Sequence, residues 1–344
     1  MKKNLVLSST LVLAAAASLG AQGLPSPNTG CTSNGSAQQN ALQDACQQAS
    51  DVFTFMSPQI GIALAGGNAT LGTGSTLGGL GHFSIGVRGN VLRGTIPQLD
   101  QFNPRTSGAS PAQKLPSKSQ VLALPTADAA IGIFGGLPLA LTNVGGIDLL
   151  LSATYVPTIG DGNKDFSLKP KQNLQLGYGL RVGLLSESIL VPGVSFTYLK
   201  RDLPATTIAG TATYTSTLGS STAAFSIVDA KVNTSAWRLV ASKGLLLFGL
   251  AAGVGQDTYD LGATINTSLT STLGGTSTTA VNAGVPQIKR TNYFLDASLN
   301  LPLFKIVGEV GQVTGGTVNT YNSIGSDRAD KSLTYGSLGL RFAL

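Results

Sequence analysis

The sequence predicts an all-β protein: an antiparallel transmembrane β-barrel of 10–14 strands, preceded by a short N-terminal helix and plug segment. Three observations predict it. First, the last ten residues carry opposite chemistry on two faces. Leu338, Leu340, Phe342 and Leu344 alternate with Ser337, Gly339, Arg341 and Ala343, the pattern of a strand with lipid outside and polar groups inside. Second, the same period of two runs through most of the chain after Gly81. Third, only 11% of residues are charged, against roughly 25% in soluble proteins. Beyond residue 21 no run of apolar residues is long enough for a spanning helix, which needs about 20.

Taken in order, Met1-Lys-Lys3, the apolar run Leu5 to Leu19 and the small residues Ser18 to Ala21 read as a secretory signal peptide. Gly23 to Ser36 is a loop rich in Pro, Ser, Asn and Gly. Ala37 to Phe55 then places Leu42, Ala45, Ala49, Val52 and Phe53 at helical spacing, and Ser57-Pro58 is expected to end that helix. Cys31 and Cys46 are the only cysteines of an exported chain and are expected to form one disulfide. Gln59 to Gly81 holds eight glycines and has no readable period. The chain thus divides into residues 1–21, a signal peptide; 22–80, the N-terminal helix and Gly-rich plug segment; and 81–344, the barrel.

Within the barrel the clearest strand alternates Leu174, Leu176, Tyr178, Leu180, Val182 and Leu184 with Gln175, Gly177, Gly179, Arg181 and Gly183. Others start at Gly81 and lie near Ala127 to Leu137, Gly146 to Pro157, Ile189 to Arg201, Phe225 to Ala241, Leu245 to Tyr259, Gln287 to Asn300, Phe304 to Thr314 and Ser332 to Leu344. Short turns such as Ser242-Lys243-Gly244 and Leu301-Pro302-Leu303 alternate with stretches expected to be long polar loops, among them Asp202 to Ala224 and Leu261 to Pro286. Short turns on one side and long loops on the other mark a membrane barrel. The count is ten strands, or twelve to fourteen if Pro58 to Gly81 or a long loop hides a hairpin.

Strand parity turns Arg88, Arg181, Arg238, Arg290 and Arg341 inward, together with Asp128, Asp148, Asp257, Asp296 and Glu309. Depth counted from the turns gathers Arg88, Arg181, Arg238, Asp296, Glu309 and Arg341 into one lumenal layer. Within it a row Arg238, Asp296, Glu309, Arg341 is expected. The layer is either an ion-pair network that packs the barrel or a selectivity ring around an aqueous path. One histidine, His82, stands at the short-turn start of the first strand, which leaves no Ser-His pair for hydrolysis. No enzyme activity, no cofactor and no metal site are expected. The net charge of +6 is scattered, so no nucleic-acid partner is expected.

Ser337, Gly339, Phe342 and Leu344 together resemble the C-terminal assembly signal of bacterial outer-membrane β-barrel proteins. The helix and Gly-rich segment before the barrel resemble the plugged barrels of the long-chain fatty-acid porin type. The resemblance implies location in the outer membrane, with its lipids, lipopolysaccharide and assembly machinery as partners. It also implies passage of a small solute, apolar solutes included, with Cys31 to Gly81 as a plug. The alternative is a non-transporting structural or adhesion barrel displaying Ser/Thr-rich loops such as Ile265 to Gly284.

Overall fold

The computed structural model describes residues 26–139, 141–160 and 166–343. The expected signal peptide, and Leu344 of the C-terminal pattern, lie outside the described residues. Ten strands form a closed ring: β1 (Phe83–Pro97), β2 (Ser117–Phe134), β3 (Ile147–Tyr155), β4 (Leu174–Leu185), β5 (Gly193–Asp202), β6 (Gly219–Leu245), β7 (Phe248–Ser271), β8 (Gly275–Asn300), β9 (Lys305–Thr314) and β10 (Leu333–Ala343). Each pairs antiparallel with the next. β10 then closes on β1, from Ser84 opposite Ala343 to Leu92 opposite Tyr335. Closure leaves the ring without a free edge at membrane depth, where an unpaired backbone group costs several kcal/mol.

The outer wall is apolar because alternate residues of every strand point outward. Val87, Leu176, Leu180, Leu250, Leu295 and Leu338 are all exposed on it. Their in-facing neighbours on β10, Ser337 and Arg341, are buried, whereas Phe342 lies outside against Phe304. Such a wall in water would be an apolar surface far larger than a soluble protein carries; in a bilayer it is the solvent-matched face.

Two expected loops are sheet instead. Leu261 to Pro286 forms the upper parts of β7 and β8, paired from Leu261–Val285 to Ser271–Gly275. Asp202 to Ala224 contains a further strand, Thr206–Ser216, folded back on the top of β6 and paired in turn with Phe166–Pro170. These strands read as loops because Thr264, Asn266, Ser268 and Thr270 face out of the barrel. Above the bilayer the outward face meets water, so the alternation persists while its apolar member moves to the inside, to Ile265 and Leu269.

Ser36 caps the helix α1 (Ala37–Ala65), accepting from the Gln39 N–H at 3.3 Å. The helix passes straight through Pro58, contrary to the expected end at Ser57-Pro58. A proline here strands one carbonyl and costs about 3 kcal/mol. Continuing the helix buries Ile62 and Leu64 inside the barrel, at roughly 1.5–3 kcal/mol each, and that outweighs it. The Ser57 hydroxyl also donates to Phe53 O at 2.6 Å, in the turn before the proline. Residues 66–82 form neither strand nor hairpin, so the ring stays at ten.

Candidate functional site: a filled lumen and an apolar cavity

The helix enters at the long-loop end. There the Gln38 amide donates to Leu269 O and Gly275 O, both at 3.1 Å, and Cys31 and Cys46 are joined in a disulfide. Its buried Phe53, Phe55 and Ile62 share one apolar core with Phe225, Ile227, Tyr259 and Ile265 of the wall. A lumen lined with small polar groups is the expectation; in this half Ser221, Thr267 and Ser271 do face inward, but they alternate with a large apolar share. A helix satisfies its own backbone hydrogen bonds, so what it asks of the wall is apolar area.

Two aspartates on α1 interrupt this core and hold the loops above it. Asp51 accepts from the N–H groups of Tyr321 and Asn322 at 2.9 and 2.8 Å, and Asp44 from the Arg105 N–H at 2.7 Å. Burial pushes their carboxyls up to about 7 and about 6, respectively, against the pull of those donors.

Below Ala65 the chain loses its helix and the wall changes character. Arg201 donates to Ala65 O at 2.9 Å, Arg238 to Gly66 O and Gly67 O at 2.9 and 3.1 Å, and Arg88 to Asn68 O at 2.7 Å. These arginines meet the carbonyls that a helix C-terminus leaves open and the negative end of its dipole. The N–H groups that follow find acids: Asn68 N–H to Glu309 at 2.7 Å, Gly72 N–H to Asp296 at 2.9 Å and Leu77 N–H to Asp148 at 3.2 Å. Ion pairs lock the same side chains to one another. Arg88–Asp128 spans 2.9 Å, Arg201–Asp128 2.8 Å and Arg181–Asp148 2.6 Å, and Arg238 is paired with Asp257.

Arg88, Arg181, Arg238, Asp296, Glu309 and Arg341 are thus all buried inside the ring. The row expected within the layer does not form. Asp296 and Glu309 do stand opposite each other on β8 and β9. Asn68 bonds both, its backbone N–H on Glu309 and its side-chain amide on Asp296 at 2.7 Å, and Ser337 donates to Glu309 at 3.1 Å. Arg238 turns to Asp257, and Arg341 to Ser84 at 2.6 Å and Leu71 O at 3.3 Å. Depth counting ignored the segment in the lumen, whose backbone groups compete for the same side chains. Arg290 sits higher and donates to the carbonyls of Asp330 and Lys331. Arg201 was missed although it shares the inward face of Ser195 and Thr197. Gly66, Gly67 and Asn68 carry no periodic signal at all.

Between α1 and the wall lies a cavity of about 630 Å³. Phe53, Met56 and Ile60 line it from the helix, and Leu122, Ile208 and Val232 from the wall. On its flank the sheet is open. β2 pairs with β3 only from Thr126 toward the short turns, while its upper part, Ser117 to Pro125, pairs only with β1. Both faces of that upper part, Leu122 and Leu124 as well as Val121 and Ala123, border the cavity. Pro125, which has no N–H to offer, stands at the start of this free edge.

Closed ring, apolar outer wall and unequal connections define a transmembrane β-barrel of the bacterial outer-membrane kind. No family model matches the sequence, and no curated protein matches it. Among solved structures it is similar to the deltaS2S3 mutant of the TodX monoaromatic hydrocarbon channel, at 12% identity and a TM-score of 0.36, over 83% of this chain and 74% of that one. It is also similar to the transport unit of the autotransporter AIDA-I from Escherichia coli, at 9% identity and a TM-score of 0.24, over 76% and 90% of the two chains. A third is the anion-selective porin from Comamonas acidovorans, at 9% identity and a TM-score of 0.16, over 76% and 98%. At these values the likeness transfers neither residues nor activity.

Proposed function

We propose that the barrel takes up a small, uncharged, apolar solute and holds it in the cavity beside α1, as part of its passage across the outer membrane. The observation that carries this is the cavity: about 630 Å³, within the ordinary range for small-molecule sites, and walled mainly by apolar side chains, with Asp100, Lys118 and a few uncharged polar groups also on its lining. The filled lower lumen argues in the same direction, since buried ion pairs there are spent on the chain's own backbone rather than on a hydrated path. A barrel serving only for anchoring or display has no use for such a cavity. On this reading the protein performs no covalent chemistry, and its partners are lipid, lipopolysaccharide and the assembly machinery.

The test is binding of an uncharged naphthalene-type fluorophore to protein in lipid nanodiscs. Met56→Trp and Leu122→Trp fill the cavity from opposite sides. Both should abolish the fluorescence gain while the barrel keeps its heat-modifiable gel mobility. Folded variants that bind like the parent protein would refute the site.

A further inference from the structure

The connections at the short-turn end have an unusual surface. Turn positions favour Gly, Pro, Asn, Asp and Ser, yet here each connection presents exposed aliphatic side chains. Leu137, Leu139 and Leu141 lie on the first, Ile189 and Leu190 on the second, Leu246 and Leu247 on the third and Leu303 on the fourth. Ile189 is 93% exposed, Leu246 98% and Leu303 77%. No turn geometry demands this. At Leu246 the backbone opposes it: φ is 51°, in the left-handed region, where a two-residue hairpin ordinarily places Asn or Gly. A leucine kept there, with its side chain free of all packing, is suited to an apolar surrounding outside the protein.

A second observation points the same way. Several polar groups of these turns are satisfied by neighbouring turns rather than left to water. The Lys243 ammonium, on the β6 side of the third connection, reaches the carbonyls of Ser188, Ile189 and Val191 in the second, at 2.9 Å for Ile189. In return the Glu187 carboxylate accepts from Gly244 N–H at 2.5 Å and the Ser242 hydroxyl at 3.1 Å. Asn300 donates through its backbone N–H to Leu247 O at 2.6 Å and through its amide to Leu246 O at 3.3 Å. Thr142 donates to Ser186 O at 2.6 Å. Charged groups that could have faced water are spent on turn groups instead, Lys243 on carbonyls and Glu187 on an N–H and a hydroxyl, as backbone outside water requires. The opposite end follows the other rule, with Lys171 paired to Asp229 in the open and Arg93, Lys118 and Lys231 exposed.

The exposed aliphatic turn residues continue the lipid-facing wall, with His82 and Asn143 as exposed polar groups beside them. Phe83, Phe134, Phe248 and Phe342 stand at the foot of the strands, and the aliphatic tips come directly after them. We infer that the short turns do not project into the periplasm but sit in the periplasmic leaflet of the membrane, where Ile189, Leu246, Leu303 and their neighbours are in contact with lipid acyl chains. The barrel then rides deep, with its charged and Ser/Thr-rich extension of β6, β7 and β8 standing clear on the outside.

Tryptophan quenching in vesicles decides this. The single native tryptophan, Trp237, is first replaced by Phe. Ile189→Trp and Leu246→Trp are then made one at a time, with Leu273→Trp at the tip of the β7–β8 hairpin as the control. Lipid brominated on its acyl chains should remove most of the emission at positions 189 and 246, and aqueous iodide should leave it nearly unchanged; position 273 should show the reverse. Quenching of positions 189 and 246 by iodide would overturn the inference. So would protection from both quenchers, which would mean that protein covers the turns. Where a tryptophan variant does not fold, a nitroxide at the same position replaces it. Its relaxation should then respond to dissolved oxygen and not to a water-soluble nickel chelate, and the opposite response overturns the inference equally.

Discussion

One continuous segment fills the lumen, yet its two halves meet walls of opposite chemistry. Around α1 the wall offers Phe225, Ile227, Tyr259 and Ile265; around residues 65–77 it offers Arg88, Arg201, Arg238, Asp296, Glu309 and Asp148. Strand parity is the same in both halves, so alternation alone does not set the difference. The backbone of the filling segment does. A helix is self-satisfied, whereas an irregular glycine-rich stretch brings bare carbonyls and N–H groups into a place without bulk water, and each must find a partner. A lumenal charge layer in a narrow barrel is therefore read first as the complement of whatever peptide lies inside it.

The comparison breaks most visibly at Arg238, which holds two carbonyls and the Asp257 carboxylate at once. Arg238→Ala should cost about 3–5 kcal/mol, because it strands a buried acid as well as the carbonyls. The expected readout is loss of the compact, heat-modifiable form on gels. Replacing both Arg238 and Asp257 by Leu should recover only part of the loss, since Gly66 O and Gly67 O lose their Arg238 donor in either case. Full recovery would mean that the ion pair matters and the plug backbone does not.

Gly67 sharpens the same point sterically. A Cβ there would collide with the Tyr335 hydroxyl and the Glu309 carboxyl, so Gly67→Ala should destabilise by about 1–3 kcal/mol, measured as a lower urea midpoint for unfolding in detergent. An unchanged midpoint would show that the segment is held loosely.

Much of the barrel was legible in the chain. The two faces of β10 and the twelve residues of β4 alternate so cleanly that location, closure and parity follow from them. What escaped did so for physical reasons. The upper strands carry Thr, Ser and Asn outside because water, not lipid, faces them there, and they read as loops. Pro58 breaks a helix in isolation but not one clamped inside a barrel. Gly66, Gly67 and Asn68 act through backbone atoms, which no side-chain pattern reveals, whereas Arg201 was readable from parity and was passed over.

The upper half makes a smaller, pH-dependent prediction. Burial raises the Asp51 carboxyl from 3.8 to about 7 in the folded protein. The folded state therefore binds the proton more tightly, and the contribution of this group is full below about pH 4 and is lost as pH rises through about 7. Asp44, raised to about 6, acts with the same sign. Hydrogen exchange at the Tyr321 and Asn322 amides should accelerate between pH 4 and 7 beyond the intrinsic base-catalysed rise. Asp51→Asn should remove that excess; if it persists unchanged, the aspartate is not its source.

The central claim is that charges in the lower lumen seal the barrel around its own backbone, leaving a mainly apolar cavity above. Conductance of the purified protein in a planar lipid bilayer in concentrated potassium chloride tests it most directly. The account predicts insertion without steady ionic current, and current appearing only when residues 66–77 are released from the wall, as in Arg238→Ala protein that still inserts. A stable, ohmic, ion-selective current through the unmodified protein would contradict it, and would make Arg88, Arg181, Arg238, Asp296, Glu309 and Arg341 the lining of an open path.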